Sequence, residues 1–179
     1  MSMNKTKKIT YTSMMIALAV VLRLMKHLIL GSLQFINFPA IFTILGGILL
    51  GPIPGMTIGF ASYLISDMFL LPGLWTVVNS FLMALVGFLC GIFLRKASKT
   101  GIAIGAFLLI FCFDVMNSWL LYVIIGFDWL YAFIIAIVGL FLPAGGGFLY
   151  GVGPITEAIT ILVTLGLINV IKRNGLEFR

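Results

Sequence analysis

The chain is predicted to be an all-α integral membrane protein, a six-helix transmembrane bundle with both termini cytoplasmic and a re-entrant or lid segment between spans five and six. Three observations carry this. First, 62% of the 179 residues are hydrophobic and only 9% are charged, with mean hydropathy +1.24. A soluble domain of this size cannot hide so much apolar surface, so its solvent is lipid. Second, the apolar residues form long unbroken runs instead of ten-residue alternations, which selects helices over a closed barrel. Third, of the 11 Lys and Arg residues all but Arg23 and Lys26 fall in three clusters, each beside the end of an apolar run. Those clusters are Lys5, Lys7, Lys8; then Arg95, Lys96, Lys99; then Lys172, Arg173, Arg179. This is the pattern of positive-inside anchoring and anionic lipid contact, so the net charge of +6 does not point to nucleic acid.

A helix rises about 1.5 Å per residue, so about 20 apolar residues cross roughly 30 Å of hydrocarbon. On that measure the whole chain is one transmembrane domain, with spans expected near 9–30, 36–50, 56–71, 74–94, 101–125 and 152–171. The basic start followed by Ile9 to Leu22 resembles a signal peptide. No small-residue cleavage site follows, and Arg23, Lys26 and His27 do, so a retained first helix is expected. Span two is short unless Phe35 and Ile36 join it. Breaks are expected at Gly51-Pro52-Ile53-Pro54-Gly55 and at Pro72-Gly73.

The run from Trp129 to Leu142 is too short for a confident crossing. Charge decides the count: with six crossings all three basic clusters lie inside, whereas a seventh would put Lys172, Arg173 and Arg179 outside. The glycine pairs Gly47/Gly51, Gly55/Gly59, Gly87/Gly91 and Gly101/Gly105, each four apart, would permit close helix approach, although many such pairs arise by chance in a chain with 20 glycines. Ser13 and Ala17 share that spacing and give span one a smooth face, suited to packing within the bundle or against another protein. Cys90 and Cys112 fall inside spans, with neither metal spacing nor disulfide logic, and are expected to pack.

An ionisable group inside lipid costs about 3 kcal/mol on insertion scales, so each needs a reason. Arg23, Lys26 and His27 in span one, Asn37 opening span two, Asp67 in span three and Asn79 in span four all fall in the outer half. So do Asp114 and Asn117 in span five and Glu157 in span six. Trp75, Trp119, Tyr122, Trp129 and Tyr131 follow the same bias. Two readings stand: Arg23 or Lys26 pairing with Asp67, Asp114 or Glu157 to fix the fold, or a polar pocket open outward. Aromatic walls with a few polar groups describe a small-molecule site, though Trp and Tyr also form ordinary interfacial belts. A lone His27 makes no metal site, and no nucleotide loop, HExxH or GxSxG is present. The chain is therefore not expected to be an enzyme or to need a cofactor, and energy for any uptake must come from a partner or an ion gradient.

The stretch INFPAIFTILGGILLGPIPGMTIGFASYLISD, the following LWTVVNSFLMALVGFLCGIFLRK and the late GVGPITEAIT resemble the S components of energy-coupling factor (ECF) transporters. That resemblance implies a membrane-embedded subunit that binds a vitamin or related micronutrient tightly from outside. It also implies docking on a transmembrane T component carried by two ATPase subunits in the cell membrane. The docking motif on the first helix, typically Ala-xxx-Ala, would correspond to Ser13 and Ala17. Substrate contact is expected from Arg23, Asn37, Asp67, Trp75, Asn79, Asp114, Asn117, Trp119 and Glu157. A lid between spans five and six would involve Trp129, Tyr131 and Tyr150, with Gly145-Gly146-Gly147 supplying flexibility.

The N-terminus lacks the Met-His extension of nickel and cobalt members, so a metal substrate is not expected. The polar signature expected of riboflavin members in spans two to four is not seen either. A heteroaromatic vitamin or precursor with a polar substituent fits the aromatics and mixed charge. The competing readings are a solitary ion-coupled carrier with Asp114 as a mid-membrane protonation site, and a non-catalytic membrane scaffold.

Overall fold

A computed structural model describes residues 4–31, 35–141 and 153–173. Among these, all regular structure is helical: α1 Lys5–Leu30, α2 Phe38–Leu50, α3 Pro52–Leu70, α4 Leu74–Leu89, α5 Lys99–Ile124, α6 Trp129–Gly139 and α7 Pro154–Arg173. A single π-helical turn, Cys90–Leu94, prolongs α4. Five of these segments are long and apolar enough to cross a membrane: α1, α3, α4 with its π turn, α5 and α7. The other two, α2 with 13 residues and α6 with 11, are shorter.

The ends of the helices follow from local chemistry. Asn4, Asn37, Ser98 and Asp128 cap α1, α2, α5 and α6 by accepting first-turn backbone N–H bonds. The expected break at residues 51–55 is narrower than the proline pair implies. Gly51 alone separates α2 from α3, at φ 108°, with its N–H bonded back to the carbonyls of Gly46 and Gly47. Pro52 and Pro54 then sit in the first turn of α3, where backbone N–H groups need no intrahelical partner. Span three thus begins at 52 instead of 56.

The short α2 is the hub. All of its residues except Phe38 and Phe42 are buried, and it packs against α1, α3, α4 and α7. An apolar helix of this length enclosed by others has the character of a core element. The surrounding helices turn large apolar side chains outward, among them Phe69, Phe81, Phe93, Leu108 and Leu162, where lipid would meet them.

Close approach of α2, α3 and α4 depends on glycine. A Cβ on Gly55 would fall 2.5 Å from the Gly87 carbonyl oxygen and 2.6 Å from the Gly47 Cα. Gly47 and Gly87 are equally crowded, and Gly59 meets the Met83 carbonyl in the same way. The glycine spacing that carries little weight as a pattern is therefore a three-helix contact of backbone on backbone. Gly87→Leu is expected to cost about 3 kcal/mol or more, because the obstructing atoms are main chain and cannot rotate away. Thermal unfolding in detergent measures this, with Gly139→Leu as a control at a position where a Cβ meets nothing within 4 Å. Equal midpoints for the two variants would contradict the packing argument.

At the Gly51 end of the bundle lie the basic residues. A Cβ there would stand 3.5 Å from Arg95 Nη1 and 3.8 Å from Lys8 Nζ, so the first two basic clusters share one end. The aromatic residues of the α5–α6 turn lie at the far end of α5.

Candidate functional site

The polar groups gather on the half of the bundle remote from those basic clusters, because each helix places them one turn apart on its inner face. On α3, Tyr63, Ser66 and Asp67 stand at i, i+3 and i+4. On α5, Phe113, Asp114 and Asn117 share a face, and on α7 Thr156, Glu157, Thr160 and Thr164 form a buried stripe. Within that stripe Thr164 Oγ1 donates to the Thr160 carbonyl at 2.7 Å.

Arg23 of α1 joins α3 through three contacts. Its Nη2 lies 2.7 Å from Asp67 Oδ1, its Nη1 donates to Ser66 Oγ, and its guanidinium sits 4.5 Å from the centre of the Tyr63 ring. Carboxylate, hydroxyl and aromatic face together compensate a cation that lipid would penalise. Arg23 makes the interhelical ion pair of the first sequence reading and also lines the cleft of the second. Neither Asp114 nor Glu157 has a lysine or arginine within ion-pair distance among the described residues.

Asn37 ties the start of α2 to two other helices. Its side-chain oxygen caps the Ala40 N–H at 3.1 Å, and its Nδ2 donates to the Tyr63 hydroxyl at 2.9 Å. Its backbone N–H donates to Thr160 Oγ1 at 3.0 Å. One asparagine thereby sets the relative height of α2, α3 and α7.

Two adjoining cavities open among these groups. The inner one, about 120 Å³, has polar walls from Asn37, Tyr63, Asn79, Asp114, Asn117 and Glu157, with Phe38, Ile110 and Phe113 as apolar lining. The outer one, about 300 Å³, is lined by His27, Asp67, Leu70, Leu71 and Trp75. Arg23, Lys26 and Asn79 line both, so they stand at the junction. Glu157 is 1% exposed and, apart from the adjacent Asp114 carboxyl, its carboxylate oxygens have no hydrogen-bond partner among the described residues; Asn117 Oδ1 is also buried without one there.

The structure thus brings Arg23, Asn37, Asp67, Trp75, Asn79, Asp114, Asn117 and Glu157 to one cleft. Trp119 it places elsewhere. The Trp119 indole N–H donates to the Trp129 carbonyl at 2.9 Å, and its ring packs on Trp129 and Phe133. Trp129 and Tyr131 likewise belong to the exposed aromatic surface of α5 and α6 and line neither cavity; Tyr150 and Gly145 to Gly147 lie outside the described residues. Sequence reasoning passed over Tyr63, Ser66, Thr156 and Thr160. The available signal was their i, i+3, i+4 register with Asp67 and Glu157.

A family model described as the S component of the ECF-type riboflavin transporter matches residues 3–152. The chain belongs to this family. No curated protein and no solved structure matches the chain. ECF S components are substrate-binding subunits of transporters, working with T and ATPase components, and are not a family of enzymes. In this S component the matched stretch holds α1 to α6, so Glu157 and Thr160 lie beyond it. Ser13 and Ala17 are both exposed on α1, whereas Met15, Ala19 and Val20 on its other side are buried in the bundle. The smooth face of this S component's first helix therefore looks away from its own core.

Proposed function

We propose that this chain is the high-affinity binding subunit of an ATP-driven ECF importer, loading a vitamin or related micronutrient from the outer face of the cell membrane. The observation that carries the reading is the cleft itself. Side chains from α1, α2, α3, α4, α5 and α7 converge on it, in the half of the bundle remote from the basic clusters of Lys8 and Arg95. Under the positive-inside rule that half faces outward and both termini face the cytoplasm. The inner cavity alone is smaller than the roughly 300 Å³ at which drug-sized sites begin, so a vitamin-sized ligand would occupy both chambers. Asn79 at their junction would contact it, with Trp75 supplying an aromatic wall.

Transport would require docking of the exposed Ser13–Ala17 face on a T component that carries two ATPase subunits. The matched family's description names riboflavin, which makes riboflavin the first compound to test alongside other vitamins. Native mass spectrometry of the detergent-purified chain is expected to show a retained vitamin-like molecule. Asn79→Ala is expected to weaken that ligand about tenfold, the loss of one or two buried hydrogen bonds. Uptake by vesicles containing the chain alone, driven by a proton or sodium gradient, would instead establish a solitary carrier.

A further inference from the structure

We infer that the inner cavity is built for a ligand that brings a protonated nitrogen, received by Glu157 and Asp114 with Asn117 beside them. The inference rests on the cleft being the substrate site, and adds the charge of the group it takes.

The unpartnered atoms here are all acceptors. Among the described residues, Glu157 Oε1, Glu157 Oε2 and Asn117 Oδ1 are buried and meet no donor apart from the neighbouring Asp114 carboxyl. Glu157 is 1% exposed and Asp114 7%, and both line the same small chamber as neighbours. Buried acceptors without partners are costly, and two neighbouring carboxylates repel strongly where the dielectric is low. A proton shared between the two carboxyls relieves their repulsion but leaves one buried negative charge, and a neutral N–H or O–H would satisfy an acceptor without matching that charge. A cation removes both penalties at once.

The cations already present do not fill this role. Arg23 is held by Asp67 and Ser66 on the α3 side. Lys26 lies one turn further along α1, at the junction with the outer cavity, and makes no ion pair with either carboxyl. The chamber is therefore acidic at its inner wall and basic at its mouth. That polarity would orient a ligand with its charged nitrogen inward and any electron-rich or anionic group toward Lys26.

The test uses the full chain in lipid nanodiscs and isothermal titration with matched aromatic pairs that differ in one charge. The probes are tryptamine against tryptophol and pyridoxamine against pyridoxine, with riboflavin titrated in parallel. The expected result is that the ammonium member of at least one pair binds about tenfold or more tightly than its alcohol. Glu157→Gln and Asp114→Asn should each erase that preference without lowering thermal stability. Equal affinities within both pairs, no binding by either ammonium probe, or a preference that survives both substitutions would overturn the inference. The wild-type comparison stands even if a variant fails to fold. Riboflavin binding that weakens in Asn79→Ala, with no ammonium preference, overturns this inference and leaves the binding-subunit reading in place. No binding of any probe or of riboflavin counts against both.

Discussion

Tryptophan at Ser13 or Ala17 is expected to reduce ATP-driven uptake to background while the isolated chain binds its ligand within about twofold of the parent. The two halves of this expectation rest on different observations. Binding is spared because both positions are exposed, while Met15, Ala19 and Val20 hold α1 against the bundle. Uptake is lost because helices in lipid approach closely only where side chains are small, and an indole adds bulk where a partner helix would lie. Reconstituted uptake with the ATPase module, measured beside ligand binding by the purified subunit, separates the two. Normal uptake would remove α1 as the docking face. Loss of binding as well would show that the face also serves the fold.

Removing the Asp67 carboxylate is expected to cost about 3–5 kcal/mol of stability, because Arg23 would keep its charge without its counter-ion in the interior. The Asp67 side chain is 3% exposed and that of Arg23 17%, so water can offer little replacement. The Tyr63 ring and Ser66 hydroxyl would remain near the guanidinium, and they soften the loss without cancelling it. Arg23→Leu with Asp67→Leu should recover much of what Asp67→Ala loses, since no uncompensated charge remains. Thermal unfolding of the single and double variants in nanodiscs decides this. A double variant no more stable than Asp67→Ala would mean that the pair contributes by more than mutual neutralisation.

The helical class and most of the spans were legible from runs of apolar residues, because a lipid solvent forces any exposed backbone to satisfy itself within one segment. The depth bias of the polar residues was legible for the same reason: charge is so costly in hydrocarbon that its placement stands out in one dimension. Asp67, Asn79, Asp114 and Glu157 are conspicuous against their surroundings. Tyr63 and Thr160 are not, since tyrosine and threonine are common in apolar helices and announce themselves only once their partner Asn37 is placed. Trp119 shows the opposite failure. Its height along α5 suits the cleft, but its azimuth points it to α6, and a linear reading supplies height far better than azimuth.

Sequence alone determined that the chain lives in lipid as helices, and that its buried polar residues sit in the half away from the three basic clusters. Both follow from transfer free energies, which act residue by residue. Tertiary structure alone decided that Arg23 is spent on Asp67 while Asp114 and Glu157 are left facing a cavity. It also decided that α2 is a 13-residue core hub and that Gly47, Gly55 and Gly87 meet at one point. Those outcomes depend on how each helix is rotated about its axis, which is set by packing among several helices at once and is carried by no single segment.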